Sequence, residues 1–332
     1  MEEDFHLDIF PGDFYLPSLD RECLFTLAYC RFNNIPIKVH YYSNLYLSKV
    51  PRLKTRTHTI IGADSIIDYF ENRKNIVPNN DSTLSSSSLT KLDLWSYKAL
   101  ITKKLEPCLL YFWWYDQNNY NDFLSGWYSK RLPFPTNFFI PRSLRKDAVA
   151  KLEAQFSNKV IESDFKVKTI ENSVINEARY CLNLLIEKLG DQNFFFGNHP
   201  TPLDASVFSY LALLYKVPTK NSVIQNHINI SDPLRNYVDR VLKIYFGKDF
   251  FNSTSQCSFD NNNSSSNEDS SFADISWTKV LYSGAIAGFF MLFYAVSTGI
   301  LTIKNTTEYN DGEDQYDEER EVEDKFHNYD QE

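Results

Sequence analysis

Phe194-Phe195-Phe196-Gly197-Asn198-His199-Pro200-Thr201-Pro202-Leu203-Asp204 runs directly into Ala205-Ser206-Val207-Phe208-Ser209-Tyr210-Leu211-Ala212-Leu213-Leu214, a loop that feeds a helix. Thr201 suits the N-cap, and Pro202 suits the first helical position, where its missing N–H leaves nothing unsatisfied. Asp204, three residues after the cap, is placed to accept from the cap N–H. From Ala205 to Leu214 almost every residue is apolar on every face, the pattern of a helix enclosed on all sides. Thr201 and Asp204 are therefore expected to form a structural capping box, and the rest of the chain to pack around this helix.

Working outward, Val174, Ile175, Ala178, Cys181, Leu182, Leu185 and Leu189 form an amphipathic stripe that Gly190 ends, so a flanking helix is expected. Downstream, Leu234 to Phe246 carries Val238, Val241, Leu242 and Tyr245 in helical register. A capping box behind a Gly loop, opening a central helix, resembles the start of the core helix in the C-terminal domain of glutathione S-transferase-like proteins. Further upstream, Leu92, Trp95, Ala99, Ile101 and Leu105 mark a long helix, and Pro107 to Trp114 continues it as an apolar-aromatic run. Pro133, Pro135 and Pro141 bracket Phe134 and Phe138-Phe139-Ile140; three prolines argue for a rigid aromatic connector rather than a regular helix.

The first 78 residues have a different rhythm. Phe5–Phe10 reads as a strand and Pro11–Pro17 as a turn. Ser18 is placed to cap a helix whose apolar positions are Leu19, Cys23, Leu27 and Cys30, ended by Asn33-Asn34. Ile35–Tyr42 reads as a second strand, Val50-Pro51-Arg52-Leu53 leads to a third, and His58–Ile61 is a fourth. Gly62 then opens a helix over Asp64–Asn72, with Ile66, Ile67 and Phe70 inward. The order βαβ then ββα, with a right-handed crossover, predicts a thioredoxin-like domain at 1–78. A polar linker at 79–90 with four consecutive Ser follows, then an all-helical domain at 91–250. The fold class expected is thus α/β plus all-α.

Residues 251–276, rich in Ser and Asn, bury too little to fold and read as a tether. Val280–Ile303 is uncharged for 24 residues; at ~1.5 Å per residue it reaches about 36 Å, enough to cross a bilayer core. Residues 277–303 are therefore expected to form one transmembrane helix, flanked by Lys279 and Lys304, with Trp277 and Tyr282 near an interface. Gly284 and Gly288 space a G-x-x-x-G, which allows a second helix to approach closely. The opening Met1-Glu2-Glu3-Asp4 is acidic, unlike a secretory or matrix-targeting leader, so a tail-anchored protein with its globular part facing the cytosol is expected.

Composition bounds the rest. The 332 residues are 43% hydrophobic and 16% aromatic, ample for real cores. The formal charge of −9 lies entirely in residues 304–332, an acidic tail with twelve Asp/Glu against Lys304, Arg320 and Lys325. The remainder is neutral, and without a basic stripe or a nucleic-acid motif nucleic acid is not an expected partner. The five cysteines at 23, 30, 108, 181 and 257 show no C-x-x-C and read as reduced core residues. The six histidines lack metal-ligand spacing, and nucleophile-elbow and phosphate-loop patterns are absent, so neither a metal site nor hydrolase or nucleotide chemistry is expected.

Several local motifs resemble the metaxin family in its membrane-anchored branch. They are Pro133-Phe134-Pro135 with Asn137-Phe138-Phe139 and Pro141, Asn119-Tyr120, Trp127-Tyr128, Phe194-Phe195-Phe196-Gly197, Leu203-Asp204-Ala205 with Phe208 to Leu214, Leu16-Pro17-Ser18, and Arg31-Phe32. The resemblance implies a glutathione S-transferase-like fold on the mitochondrial outer membrane. It further implies a role in protein import and in the sorting and assembly of β-barrel proteins, as a non-enzymatic scaffold beside other metaxin-like subunits, β-barrel assembly components and the lipid bilayer, without a cofactor. A motor adaptor for mitochondria and a membrane-anchored glutathione-dependent transferase are the alternatives.

A transferase of this fold activates the glutathione thiol just past the first strand, where a helix N-terminus favours a thiolate. That place offers Tyr15 and Ser18 and no Cys. Pro51 occupies the position of a cis-proline beside the cysteinyl partner, and Asp64-Ser65 that of the γ-glutamyl pair. Each also has a plain role: Ser18 as helix cap, Tyr15 as an aromatic contact beside Phe14, Pro51 as a turn former, Asp64 or Ser65 as a cap. No catalytic residue is expected. Exposed aromatic side chains are the expected partner anchors, with Trp113, Trp114, Trp127 and Phe138 as candidates.

Overall fold

The computed structural model describes residues 4–42, 49–73, 88–132, 136–156, 166–220 and 223–247, and a few positions between 286 and 298. The chain divides into two compact units, Met1–Asp260 and Asn261–Glu332. In the first, β1 (Phe5–Ile9), α1 (Arg21–Phe32) and β2 (Ile37–Tyr41) are followed by β3 (Arg52–Lys54), β4 (Thr59–Ile61) and α2 (Ala63–Glu71). The sheet order is β2-β1-β3-β4. β1 runs parallel to β2 with Leu7 opposite Val39, and antiparallel to β3 with Leu7 opposite Leu53. This is the thioredoxin-like arrangement that the strand and helix order predicts.

Leu7 and Leu53 are sealed in the core, while Asp8, also buried, faces Arg52 and Lys54 at 2.5 and 3.0 Å. Burial alone would raise the Asp8 carboxyl; Lys54 and Arg52 outweigh it and hold the group below its ordinary value. α1 buries nine of its twelve side chains and packs against α2, α8 and α10. At its end Phe32 packs against Phe194 and Tyr245.

The helical part begins with α3 (Ser88–Leu110), and a wide π-helical turn, Tyr111–Tyr115, continues it. Asp116 breaks this turn with extended backbone and caps the short α4 (Gln117–Asn119), its Oδ1 accepting from the N–H groups of Asn118 and Asn119. A second π turn, Tyr120–Leu124, leads into α5 (Ser125–Arg131). Then come α6 (Thr136–Phe156), α7 (Lys166–Leu189), α8 (Pro202–Lys216), α9 (Val223–Ile230) and α10 (Asp232–Tyr245). α8 is the central helix, with every residue from Leu203 to Leu214 buried. It packs against α1, α3, α9 and α10. The α7 stripe is buried at Val174, Ala178, Cys181, Leu182, Leu185 and Leu189, and Gly190 leaves the helix at φ 52°.

The structure corrects four expectations. Residues 136–141 are helical, so the connector expected at Pro133–Pro141 does not extend to Pro141. Proline frees the carbonyl four residues earlier, here that of Asn137, and the Ser129 hydroxyl donates to it at 3.4 Å. Pro107 inside α3 is accommodated in the same way, with Gln155 Nε2 donating to the Lys103 carbonyl at 3.3 Å. Second, of the expected inward positions of α3, Ile101 and Leu105 are buried, but Leu92 and Trp95 are exposed, Trp95 at 68%; the first turns of α3 run past the core they were expected to cover. Third, α1 is capped by Asp20 rather than Ser18, and α2 by Gly62 rather than Asp64 or Ser65. Fourth, α9 lies between α8 and α10, where no helix is expected from the sequence.

The expected linker at 79–90 and tether at 251–276 fall largely or wholly outside the described residues, as do Cys257, Gly284 and the acidic tail. Of the expected span Val280–Ile303, helical positions are described at 286, 288–291, 293–294 and 297. Among the described residues no helix is long and apolar enough to cross a membrane.

Candidate functional site

The crevice where a glutathione-handling protein would work lies between the end of β1 and α6. Past Phe10 the chain turns at Gly12, where an added Cβ would fall 2.0 Å from the Leu16 carbonyl oxygen, so no side chain fits. Phe14 and Tyr15 follow with φ 53° and 61°, a region that bulky residues seldom occupy. The loop is held by Asp13, whose Oδ2 accepts from Trp127 Nε1 at 2.8 Å and from Arg131 at 2.7 Å. The Arg131 guanidinium lies over the Trp127 ring, and Phe10 packs against Trp127 and Tyr128. This packing turns Tyr15 outward, 80% exposed.

Ser18, by contrast, is fully buried, its Oγ accepting from the Asp20 N–H at 3.1 Å. Asp20 Oδ1 in turn accepts from the Cys23 N–H at 2.8 Å. The helix N-terminus that would stabilise a thiolate is thus occupied by the chain's own carboxylate. Glu22 stands beside it, its carboxyl raised chiefly by burial, with Arg21 at 3.1 Å working the other way. Arg21 also lies over the ring of Tyr210 in α8. An incoming thiolate would meet the carboxylates of Asp20 and Glu22, which line the cavity there. The thiol of Cys23 lies in the same turn, but burial pushes its pKa well up and leaves it inert.

Around this mouth lies an open cavity of about 1050 Å³. Phe10 and Tyr128 line it from below, Glu106 and Trp113-Trp114 from the helical side, Lys49-Val50 and Gly62 from the sheet side, and α6 from Phe139 to Lys151. The Val50–Pro51 peptide bond is cis, and the Pro51 carbonyl accepts from the Gly62 N–H at 2.9 Å. Asp64 is exposed and reaches Lys98 at 3.3 Å. Of the five residues that the sequence offers for a glutathione subsite, Tyr15, Ser18, Pro51, Asp64 and Ser65, none itself lines the cavity; their neighbours Asp20, Val50 and Gly62 do. Trp113, Trp114 and Trp127 are buried, and Phe138 and Phe139 are exposed.

Asp13, Asp20 and the charged residues of α6 are what sequence reasoning missed. Asp20 had a signal, since it stands three residues before Cys23 as an N-cap should. Asp13 had none, because its partners are more than a hundred positions away. Elsewhere, Thr201 donates to Asp204 Oδ2 through both its N–H (2.8 Å) and its hydroxyl (2.7 Å), and the Phe195 N–H donates to Oδ1. Burial raises the Asp204 carboxyl to about 6, against the pull of these donors. The Tyr237 hydroxyl donates to the Asp204 carbonyl at 2.9 Å. Gly288 is helical with open space where a Cβ would stand. On the sheet, His6 Nδ1 lies 2.8 Å from His40 Nε2, and no group of three or more His, Cys, Asp or Glu among the described residues is placed to hold a metal.

Comparison with known proteins supplies the family. Residues 23–145 match the family described as outer mitochondrial membrane transport complex protein, and residues 178–241 the glutathione S-transferase C-terminal domain. Metaxin-1 of Mus musculus is 34% identical over 242 residues, 72% of this chain and 74% of that protein. Metaxin-3 of Danio rerio is 32% identical over 249 residues, covering 74% and 77%. The Metaxin-1 homolog of Drosophila melanogaster is 29% identical over 323 residues, covering 95% and 96%. Among solved structures, a glutathione S-transferase of Ceriporiopsis subvermispora in complex with glutathione aligns at 14% identity over 73% of this chain and 96% of its own, with a TM-score of 0.46. The strand order, the C-terminal domain match and the local motifs agree on a glutathione S-transferase-like fold, and the chain belongs to the metaxin family.

Proposed function

We propose that this chain is a non-enzymatic subunit of the mitochondrial outer membrane that serves protein import and the sorting and assembly of β-barrel proteins. Family membership and the match to an outer-membrane transport complex description support the setting. The observation that carries the non-enzymatic part is the α1 N-terminus, where the Asp20 carboxylate holds the Cys23 N–H at 2.8 Å in the place a thiolate would need. The open cavity lined by Val50 and Gly62 favours the second reading, a glutathione-dependent transferase built on Tyr15, Ser18, Pro51, Asp64 and Ser65.

The proposal includes a tail anchor over 277–303, after a thioredoxin-like domain at 1–78, a linker at 79–90, a helical domain at 91–250 and a tether at 251–276. Support comes from the uncharged run Val280–Ile303 and from the exposure of Phe289, Phe290, Met291, Phe293 and Tyr294, since apolar side chains turned outward on a helix suit lipid. In this reading the globular part faces the cytosol, the acidic residues 304–332 lie across the membrane, and Gly284 with Gly288 admits a neighbouring helix. Its partners are other metaxin-like subunits and β-barrel assembly components. Imaging the full chain beside a version ending at Ser271, with native purification of each, tests this. The expected result is a mitochondrial rim for the full chain, carrying β-barrel assembly components, and diffuse signal for the shorter one. Complete membrane sedimentation of the shorter version would contradict the anchor.

A further inference from the structure

Several stretches of this chain hold cations and no carboxylate, and the fold brings them anions from elsewhere. In residues 23–63, Asp8 meets Arg52 and Lys54, and Asp4 meets Lys38; in residues 205–231, Asp239 meets Lys216 and Asp122 meets Lys220. Residues 123–146, with Lys130, Arg131, Arg142, Arg145 and Lys146 and no Asp or Glu, are answered only in part. Asp13 takes Arg131, and Arg145 is engaged by the Trp114 carbonyl and the Tyr120 ring. Lys130, Arg142 and Lys146 are exposed, and among the described residues none of them has an ion-pair partner. Asp147, next in sequence, offsets one of the three and leaves the patch positive. Their elements meet, since the Ser129 hydroxyl, beside Lys130, donates to the Asn137 carbonyl at the start of α6 at 3.4 Å. There Phe138 and Phe139 turn outward, 54% and 64% exposed, one turn before Arg142 and two before Lys146.

Adjacent aromatic rings beside long cationic side chains suit the boundary of an anionic bilayer, where rings sit at headgroup level and Lys and Arg reach the phosphates. A surface of one sign is matched by headgroups of the opposite sign, without the pockets that aromatic anchors need in a protein partner. We infer that the end of α5 and the start of α6 rest on an anionic phospholipid surface, with Phe138 and Phe139 entering the headgroup layer and Lys130, Arg142 and Lys146 holding lipid phosphates. The inference rests on the membrane setting proposed above and names the face that meets lipid.

The test reconstitutes the purified full chain into vesicles of phosphatidylcholine alone and of phosphatidylcholine with phosphatidylinositol, and follows amide hydrogen exchange by mass spectrometry. The N–H groups of a helix's first turn lack intrahelical partners, so the start of α6 reports cover directly. Exchange over residues 136–147 is expected to slow by about tenfold or more on the anionic vesicles relative to the neutral ones, and the difference to shrink as salt screens the headgroups. Exchange around the exposed Trp95 of α3 is expected to be the same on both. R142E/K146E and F138S/F139S each abolish the difference at α6, and K130E, on a different helix, reduces it; circular dichroism confirms that all three variants are folded. Equal exchange at α6 on the two kinds of vesicle, slowing that is as large around Trp95, or a difference untouched in the folded variants overturns the inference. So does slowing by soluble polyglutamate and by neither vesicle, which would assign the patch to an acidic protein. A chain that carbonate strips from both kinds of vesicle overturns the anchor and this inference with it, whereas a chain that stays, with equal exchange at α6, overturns only the inference.

Discussion

The aspartates at the N-termini of α8 and α1 differ in what lies beyond them. At α8, Asp204 is sealed under Phe195 and Tyr237, and every polar group around it belongs to the fold. At α1, Asp20 opens onto a cavity of about 1050 Å³. A carboxylate that takes main-chain N–H groups at a helix start, those of Thr201 and Phe195 at α8 and that of Cys23 at α1, locks a core in one place. In the other it fills a position that glutathione chemistry would require to be vacant. In the reading proposed above, the fold keeps a cleft while its own cap takes the helix N–H that a thiolate would use.

The sharpest way to separate the two ends is to delete each carboxylate. Asp204→Ala leaves three donors of the Thr201–Phe195 loop without their acceptor in the core, and a loss of about 4 kcal/mol is expected. For a unit of this size that is a fall of roughly 10 °C in Tm, read by thermal unfolding of the full chain.

Titration sharpens the comparison from the other side. Burial raises Asp204 to about 6, whereas an unfolded Asp titrates near 3.9, so the folded chain binds its proton more tightly. The contribution of this group to stability is full below about pH 4 and is lost as pH rises to about 6, a decline of ~3 kcal/mol if undiluted by other groups. Unfolding of the wild type and Asp204→Asn across that window measures it: the difference between them should carry the slope, and the variant should lack it.

Smaller effects are expected nearer the cleft. Asp13→Ala frees Trp127 Nε1 and Arg131 and should cost about 2 kcal/mol by urea unfolding, with the near-ultraviolet signal of Trp127 altered. Asp20→Ala removes only a cap, worth about 1 kcal/mol, because water from the cavity can take over the N–H groups. A cost for Asp20→Ala as large as that for Asp204→Ala would erase the distinction between a sealed end and an open one.

The same contrast governs what was readable in the sequence. The α8 start was legible because Thr201, Pro202 and Asp204 act over three residues and the apolar run after them admits one environment. The thioredoxin-like order was legible from strand and helix patterning. At α1, Ser18 and Asp20 are both acceptable caps, and the choice depends on Ser18 being buried to receive the Asp20 N–H. The helical course through Pro107 and Pro141 depended on Gln155 and Ser129 arriving from other helices to take the freed carbonyls. Leu92 and Trp95 fit a helical stripe by spacing, but spacing does not say how far along a helix its neighbours extend. The cleft's charges come from segments distant in sequence, and no local pattern announces them.

The central claim is that Asp20 leaves no thiol-activating position at the α1 mouth. Steady-state conjugation of glutathione to 1-chloro-2,4-dinitrobenzene by the purified full chain tests it most directly. No turnover above the uncatalysed rate is expected, from the wild type or from Tyr15→Phe and Ser18→Ala. Turnover by the wild type that either substitution abolishes would contradict it.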